Sequence, residues 1–184
     1  MKNKDFRDAL LSDDIDSIVD EVLAQEDDGA QVLDVNAELS EIDEPLMLTN
    51  VVKALQVMTA LPLQIDTSDP EAMERALRIY NGKAMIRSVS GRRESIEAVF
   101  PLVKKYGGLC VALTLDENGI PETAEGRVEI AKQMILEAEK YGIAKKDIIF
   151  DTLATAIGVD VQAALRASDI IKNELGCLTL SADC

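Results

Sequence analysis

The chain has 184 residues, of which 47% are apolar and 29% are charged, values typical of a single globular domain and incompatible with a disordered chain. Its 34 acidic residues outnumber its 19 basic ones, and the resulting net charge of −15 argues against binding to nucleic acid. The sequence contains no histidine, which excludes Ser-His and Cys-His nucleophiles as well as histidine metal sites.

Strand-like and helix-like segments alternate along the chain. Helix starts are marked by local signals such as Ser68-Asp69-Pro70, where a capping side chain precedes a proline at the first helical position. Helix stops are marked by glycines such as Gly107. The predicted elements are, in chain order, a helix at 5–28 broken near Ser12–Asp14, a strand at 32–36, a polar connection at 37–46, a helix at 45–60, a strand at 61–66, a helix from 68 to about 80, a strand at 83–90, a helix at 93–106, a strand at 109–116, a helix at 123–141, a strand at 147–151, a helix at 160–175 and a further short strand at 178–182.

This strict alternation predicts an α/β fold with a parallel sheet and right-handed crossovers, in one domain covering residues 1–184. Two closures of the sheet are compatible with it. An open doubly wound sheet suits the length, but no glycine-rich phosphate loop follows the first strand, so a nucleotide-binding domain is the weaker interpretation. A (β/α)8 barrel explains the acids at strand ends better, although such barrels typically need about 250 residues.

Four of the apolar runs stop at or near an aspartate, namely Asp34, Asp66, Asp116 and Asp151. In parallel α/β proteins the carboxyl ends of the strands form the ligand-binding face, so these acids are predicted to approach one pocket. The competing interpretation is that each aspartate only caps a helix or lies in a solvated loop. Glu38, Glu41, Asp43 and Glu44 are interpreted as such a loop.

The cysteines and the apolar runs indicate the compartment. Cys110, Cys177 and Cys184 are odd in number and show no CxxC spacing, and no signal peptide is recognised, which predicts a reducing, cytoplasmic setting. The longest apolar runs have the length of strands, so no membrane contact is expected.

Six segments together resemble the pterin-binding methyltransferases: GAQVLDVN (29–36), IDEPLML (42–48), LPLQIDTSDPEAMERAL (61–77), GKAMIRSVSG (82–91), ALTLDENGIPETAEGR (112–127) and DIIFD (147–151). This family comprises the methyltetrahydrofolate:corrinoid methyltransferases, the folate domain of cobalamin-dependent methionine synthase and, more distantly, dihydropteroate synthase. The resemblance extends from about residue 5 to 176. It implies a (β/α)8 TIM barrel with a pterin pocket at the carboxyl ends of the strands.

Carried over residue by residue, the resemblance implies that Asp66 and Asp151 hydrogen-bond the pterin ring, since a carboxylate accepts two adjacent N–H donors in a bidentate pair. Asn36 lies at the same rim, and Asp116 is expected at the edge of the pocket. Arg87 occupies a position where the family usually carries asparagine, and arginine is larger, cationic and only a donor. These five residues are the predicted substrate-binding set, and Asp66, Asp151 and Arg87 are the candidates for a catalytic role.

Two further departures concern the ends of the sequence. The family strand with the pattern G-E-R-x-N is not found, and after Gly176 the sequence ends with CLTLSADC instead of continuing into the last family strands. The resemblance therefore predicts an incomplete barrel that lacks the first and last strands, and unpaired sheet edges of this kind predict a homo-oligomer.

The leading functional hypothesis is a domain that binds methyltetrahydrofolate and transfers its N5 methyl group to or from a corrinoid (cobalamin) carried by a partner protein, with no metal bound directly. The alternative is a degenerate or truncated barrel that acts as a non-catalytic binding or assembly module. The missing strands and Arg87 motivate this alternative.

Overall fold

The computed structural model describes residues 4–154 and 160–180, and the side chains from residue 7 onward. The chain forms two compact units, Met1–Ile86 and Arg87–Cys184. Six strands alternate with helices within the described residues, which confirms the predicted α/β class. The assignment of residues 1–184 to one domain stays a prediction. Cys184 and the end of the strand predicted at 178–182 lie outside the described residues.

The first unit contains helices and strands that follow the predicted order. β1 and β2 pair in parallel, with Leu33 opposite Leu63 and Val35 opposite Ile65, and all four side chains are buried. The elements are α1 (Lys4–Leu11), α2 (Ile15–Asp27), β1 (Leu33–Val35), α3 (Glu44–Met58), β2 (Leu63–Asp66) and α4 (Pro70–Ile79), and β3 (Met85–Ser90) begins in this unit and continues into the second.

Helix boundaries in the first unit follow the local signals in the sequence. The predicted break between α1 and α2 is confirmed, because Asp13 has a left-handed φ of +54° and Asp14 caps α2 by accepting from the backbone N–H of Ser17. Asp69 caps α4 in the same way, and Pro70 is its first residue.

The second unit continues the alternation. β4 pairs in parallel with β5, and β5 with β6, so that the buried Cys110 lies opposite Ile148. The elements are α5 (Arg93–Tyr106), β4 (Leu109–Leu113), α6 (Ala124–Lys140), a 3-10 turn (Lys145–Asp147), β5 (Ile148–Asp151), α7 (Val161–Ile170), a π-helical segment (Ile171–Leu175) and β6 (Leu178–Thr179).

Among the elements that the structure describes in full, two differ from their predicted bounds by three residues or more. The strand predicted at 109–116 ends at Leu113, because the chain then turns back on itself: Asp116 and Gly119 exchange both backbone hydrogen bonds, at 3.1 and 3.0 Å. The helix predicted at 160–175 is α-helical only to Ile170 and then widens into the π-helical segment. None of the helices in the described ranges is long and apolar enough to cross a membrane.

Candidate functional site

The predicted ligands of the first unit, Asn36 and Asp66, lie together. Asp66 is the last residue of β2, and Asn36 follows β1 by one residue, so parallel pairing of the two strands brings both to the same end of the sheet. Asn36 Nδ2 donates to Asp66 Oδ2 at 3.2 Å, while Asn36 Oδ1 accepts from the N–H of Glu38 at 2.9 Å. Both side chains are half-buried. The geometry therefore gives a carboxylate that an oriented amide holds in place.

Next to this pair lies a group of acids that sequence reasoning had interpreted as a solvated loop. For Glu44 that interpretation is wrong: it is the first residue of α3, is half-buried, and accepts a short hydrogen bond from Thr67 Oγ1. Burial raises the pKa of the Glu44 carboxyl, the Thr67 hydrogen bond opposes this, and the nearby Glu38, Asp69 and Asp66 add to the rise. The pairing was missed because 23 residues separate the two partners.

Asp34 does not lie at the end of its strand. It is the middle residue of β1, opposite Gln64 of β2, and its exposed side chain alternates with the buried Leu33 and Val35. The expectation that its run stops at this aspartate is wrong, because the strand continues to Val35. Residues along a strand point alternately to opposite faces, so Asp34 does not share the orientation of its buried neighbours.

In the second unit, Asp151 is the last residue of β5 and is fixed by both its backbone and its side chain. Its carbonyl accepts from the N–H and the hydroxyl of Thr114, at 3.1 and 3.3 Å. Its Oδ1 accepts from the N–H of Leu153 at 2.7 Å, which closes a tight turn in which Leu153 has φ of +60°. Within the described residues no donor is bonded to Oδ2, so this half-buried carboxylate keeps one oxygen for a ligand.

Asp116 lies three residues beyond the end of β4, within the turn that closes on Gly119. Its Oδ1 accepts from the N–H of Asn118 at 2.8 Å, and its carbonyl accepts from Arg92 Nε at 3.2 Å. These contacts stabilise the turn, and a ligand-binding role for Asp116 stays a prediction. Arg87 is half-buried in β3 and has an interaction partner.

Arg127 is a buried cation of the second unit that the sequence did not single out. It lies in the first turn of α6, where it is 1% exposed, and it donates from Nε to the carbonyl of Pro121 at 3.0 Å and from Nη1 to the carbonyl of Thr152 at 2.7 Å. Both acceptors are backbone groups of loops, so no pattern of side chains could have revealed the contact. Thr152 follows Asp151 directly, which places Arg127 next to the candidate site.

A cavity of about 1040 Å³ lies between α5 and α6 in the second unit. Gly91, Asp116 and Tyr141 are among its lining residues. Asp151 is not among its lining residues. The cavity is therefore a groove beside the two helices, and it does not bring the predicted binding residues of this unit together. The oriented carboxylates are therefore the stronger indication of a binding site.

Across residues 4–154 and 160–180, no three Cys, Asp or Glu side chains are arranged to hold a metal ion. Cys110 and Cys177 are buried and form no disulfide, and burial raises the pKa of the Cys110 thiol to about 12, with Asp147 adding to the rise.

Comparison with known proteins places these features in a wider context. The sequence profile of a family described as pterin binding enzyme matches residues 2–180. The chain is 28% identical over 170 residues to a methionine synthase from Mycobacterium tuberculosis, covering 89% of this chain and 14% of that protein. It is 30% identical over 151 residues to a methylcorrinoid:tetrahydrofolate methyltransferase from Eubacterium limosum, covering 81% of this chain and 56% of the relative. The chain thus spans only part of each relative.

Among solved structures, the chain resembles dihydropteroate synthase from Xanthomonas albilineans in complex with 7,8-dihydropteroate. The TM-score is 0.69 at 23% identity, and the match covers 90% of this chain and 62% of that one. At this identity the likeness shows the fold, and it confirms the predicted β-α repeats of the barrel type.

Proposed function

Because the chain belongs to the pterin-binding enzyme family, we propose that it binds methyltetrahydrofolate and transfers the N5 methyl group to or from a corrinoid protein. The observation that carries the proposal is the state of Asp151. Its Oδ1 is committed to Leu153, its backbone is held by Thr114, and its Oδ2 has no donor among the described residues. A carboxylate oriented in this way is prepared to accept a hydrogen bond from a ligand.

A pterin ring suits a carboxylate of this kind. Its 2-amino group and the adjacent ring N–H are two parallel donors, and a carboxylate accepts both in a bidentate pair. Asp151 contributes Oδ2 and the remaining lone pair of Oδ1 to such a pair. The residues of the chain thus bind and orient the ring, and orientation is the main contribution a protein makes to a group transfer of this type.

In the first unit, we assign a pterin-binding role to Asp66 and Asn36. The hydrogen bond from Asn36 fixes the Asp66 carboxylate, and the N–H of Glu38 fixes Asn36 in turn. Arg87 and Asp116 complete the proposed substrate-binding set, with Asp66, Asp151 and Arg87 as candidates for a catalytic role. Asp66, Asp151 and Arg87 are each tested by a variant of their own.

The names of two relatives are the reason why the proposal includes a corrinoid. One is named a methylcorrinoid:tetrahydrofolate methyltransferase and the other a methionine synthase. When bound by its carrier protein, a corrinoid supplies the cobalt that takes up or gives back the methyl group. We propose that this chain contributes the folate side of that exchange and that the corrinoid reaches it on a separate protein or domain.

Calorimetric titration with methyltetrahydrofolate tests the proposal. Binding by the wild type is expected, and Asp151→Asn and Asp66→Asn are each expected to weaken it about 10- to 100-fold, because an amide presents a donor to the donors of the ring at a cost of about 1.5–3 kcal/mol. Asp169→Asn on α7 and Asp20→Asn on α2 are exposed controls that change the charge equally and should bind like the wild type. No binding by the wild type at millimolar ligand refutes the proposal.

Arg87 favours a second candidate function, a non-catalytic binding or assembly module. It places a half-buried cation in β3, where the resemblance gives asparagine. Arginine cannot accept a hydrogen bond, so it does not replace the amide it stands for. Under this alternative the fold persists while methyl transfer does not occur, and the chain associates with itself or with other proteins.

A further inference from the structure

We propose that Arg127 is a positioning residue that holds the Asp151 carboxylate in its ligand-binding orientation by anchoring the carbonyl of Thr152. This inference rests on the proposed function, because it assigns Arg127 a role at the pterin site. Within the described residues Arg127 makes no hydrogen bond to a carboxylate and donates instead to two backbone carbonyls in different loops. It thereby joins the loop before α6 to the turn after β5.

The burial of Arg127 indicates that this contact is more than incidental. The residue is 1% exposed, and desolvation of a cation is costly unless its donors are satisfied. Burial lowers the pKa of the guanidinium, while Asp160 opposes that shift. An apolar side chain would fill the same space without this cost of desolvation. The site therefore requires the N–H donors of the guanidinium, which reach two carbonyls at once.

The first carbonyl that Arg127 holds, that of Pro121, lies in a loop that other contacts also fix. The loop between β4 and α6 is closed by the Asp116–Gly119 backbone pair, and Thr123 caps α6 by accepting from the N–H of Gly126 at 3.1 Å. Gly126 itself allows close packing, since a Cβ there would lie 2.8 Å from Pro121 Cβ. Pro121 therefore provides a fixed carbonyl, and Arg127 Nε is held against it.

The second carbonyl that Arg127 holds, that of Thr152, lies in the strained turn after β5. Leu153 adopts φ of +60°, a left-handed conformation that is unfavourable for a residue with a side chain. Two hydrogen bonds hold this turn: Leu153 N–H to Asp151 Oδ1, and Arg127 Nη1 to the carbonyl of Thr152 between them. The Thr152 carbonyl and the Leu153 N–H belong to the same peptide unit, so loss of the second bond lets that peptide rotate, and its N–H then no longer orients the Asp151 carboxylate.

Two substitutions separate charge from geometry. Arg127→Lys keeps a cation whose single nitrogen reaches one carbonyl, whereas Arg127→Met removes both anchors and keeps most of the volume. Arg166→Met is the matched control, because Arg166 is an exposed arginine of the same unit that pairs with Glu125 at 2.7 Å. Thermal melts show which variants fold, and if Arg127→Met does not, Arg127→Lys carries both measurements that follow.

The first measurement is amide hydrogen exchange, which needs no ligand. Arg127→Met is expected to speed exchange of the Leu153 amide about tenfold or more relative to the wild type, with a smaller change in Arg127→Lys. The amides of Ile149 and Phe150 in β5 should keep their protection, as they would not if the whole unit were loosened. Unchanged exchange at Leu153 overturns the proposal.

The second measurement is affinity for methyltetrahydrofolate in a double-mutant cycle. Arg127→Met should weaken binding about tenfold in the wild type but not further in the Asp151→Asn variant, because its effect passes through that carboxylate. Equal losses in both backgrounds indicate a general structural effect and overturn the role at the pterin site. If the wild type does not bind, the proposed function fails, and the exchange experiment still decides whether Arg127 holds the turn.

Discussion

Gly91 ends the SVSG segment at the end of β3, and adding a single methyl group there tests the packing of the adjoining loops. A Cβ at this position would lie 2.9 Å from Ile130 Cγ2 and 2.9 Å from the carbonyl oxygen of Leu115. The Gly91 N–H also donates to that same carbonyl at 2.7 Å, so the two loops cannot separate without losing a hydrogen bond. Gly91→Ala therefore forces a shift of backbone against backbone.

The expected cost is that of overpacking, about 1–3 kcal/mol, which corresponds to a fall in Tm of about 2–12 °C for a chain of this size. Scanning calorimetry measures it. Gly82→Ala is a useful comparison, since the three atoms nearest to an added Cβ there, at 3.0–3.1 Å, belong to the Tyr80 side chain rather than to the backbone, and a smaller loss is expected. Removing one close neighbour with Ile130→Ala should reduce the cost of Gly91→Ala in a double-mutant cycle. A Tm within about 1 °C of the wild type in Gly91→Ala would refute this account of the packing.

Three further predictions concern Glu44, the cysteines and Arg87. Because the pKa of the Glu44 carboxyl is raised by burial, its contribution to stability is complete below the unfolded pKa of about 4.3 and is lost as the pH rises through the folded pKa. Glu44→Gln, which still offers Thr67 an acceptor, should flatten that loss in urea midpoints measured against pH, and an unchanged slope would contradict it. In a Cys184→Ser background, a thiol reagent should modify Cys110 and Cys177 only after unfolding, since burial raises both pKa values, and rapid labelling of the native protein would contradict this. Arg87→Asn separates the two proposed functions in the same titration: weaker binding of methyltetrahydrofolate is expected if Arg87 is a substrate-binding residue, whereas tighter binding would show that the cation obstructs the site, as the alternative function holds.

The parts of the fold that could be predicted are those encoded by neighbouring residues. Asp69 followed by Pro70 marks a helix start, and Gly107 with φ of +70° marks a helix stop, because each residue acts on its own backbone. The early end of β4 was not predicted, because no residue next to it gives a stop signal of this kind. Apolar residues continue to Leu115, but the pairing with β5 ends where Leu113 lies opposite Asp151, and the Leu115 N–H then bonds back to the carbonyl of Leu113 at 2.8 Å.

The parts of the candidate site that could not be predicted depend on contacts between distant residues. The hydrogen bond from Asn36 to Asp66 spans 30 residues and the one from Thr67 to Glu44 spans 23. The resemblance had placed Asp66 in the predicted pocket and Asn36 at its rim, but it did not predict the bond between them. Glu44 had no such support, and a charged residue in a polar segment is more often solvated than buried.

Strand-end aspartates invite two interpretations, as structural caps or as ligands, and the geometry shows that the two are compatible. Two of these aspartates, Asp116 and Asp151, each use Oδ1 to accept from the backbone N–H two residues later, at 2.8 and 2.7 Å, and Asn36 makes the same bond at 2.9 Å. This bond satisfies an amide that has left the sheet, and asparagine makes it as well as aspartate does. The structural role therefore occupies one oxygen and does not require the charge, whereas the second oxygen and the charge are what a pterin would use. It follows that Asp151→Asn preserves the turn and removes only the proposed function, while Asp151→Ala would remove both and could not tell them apart.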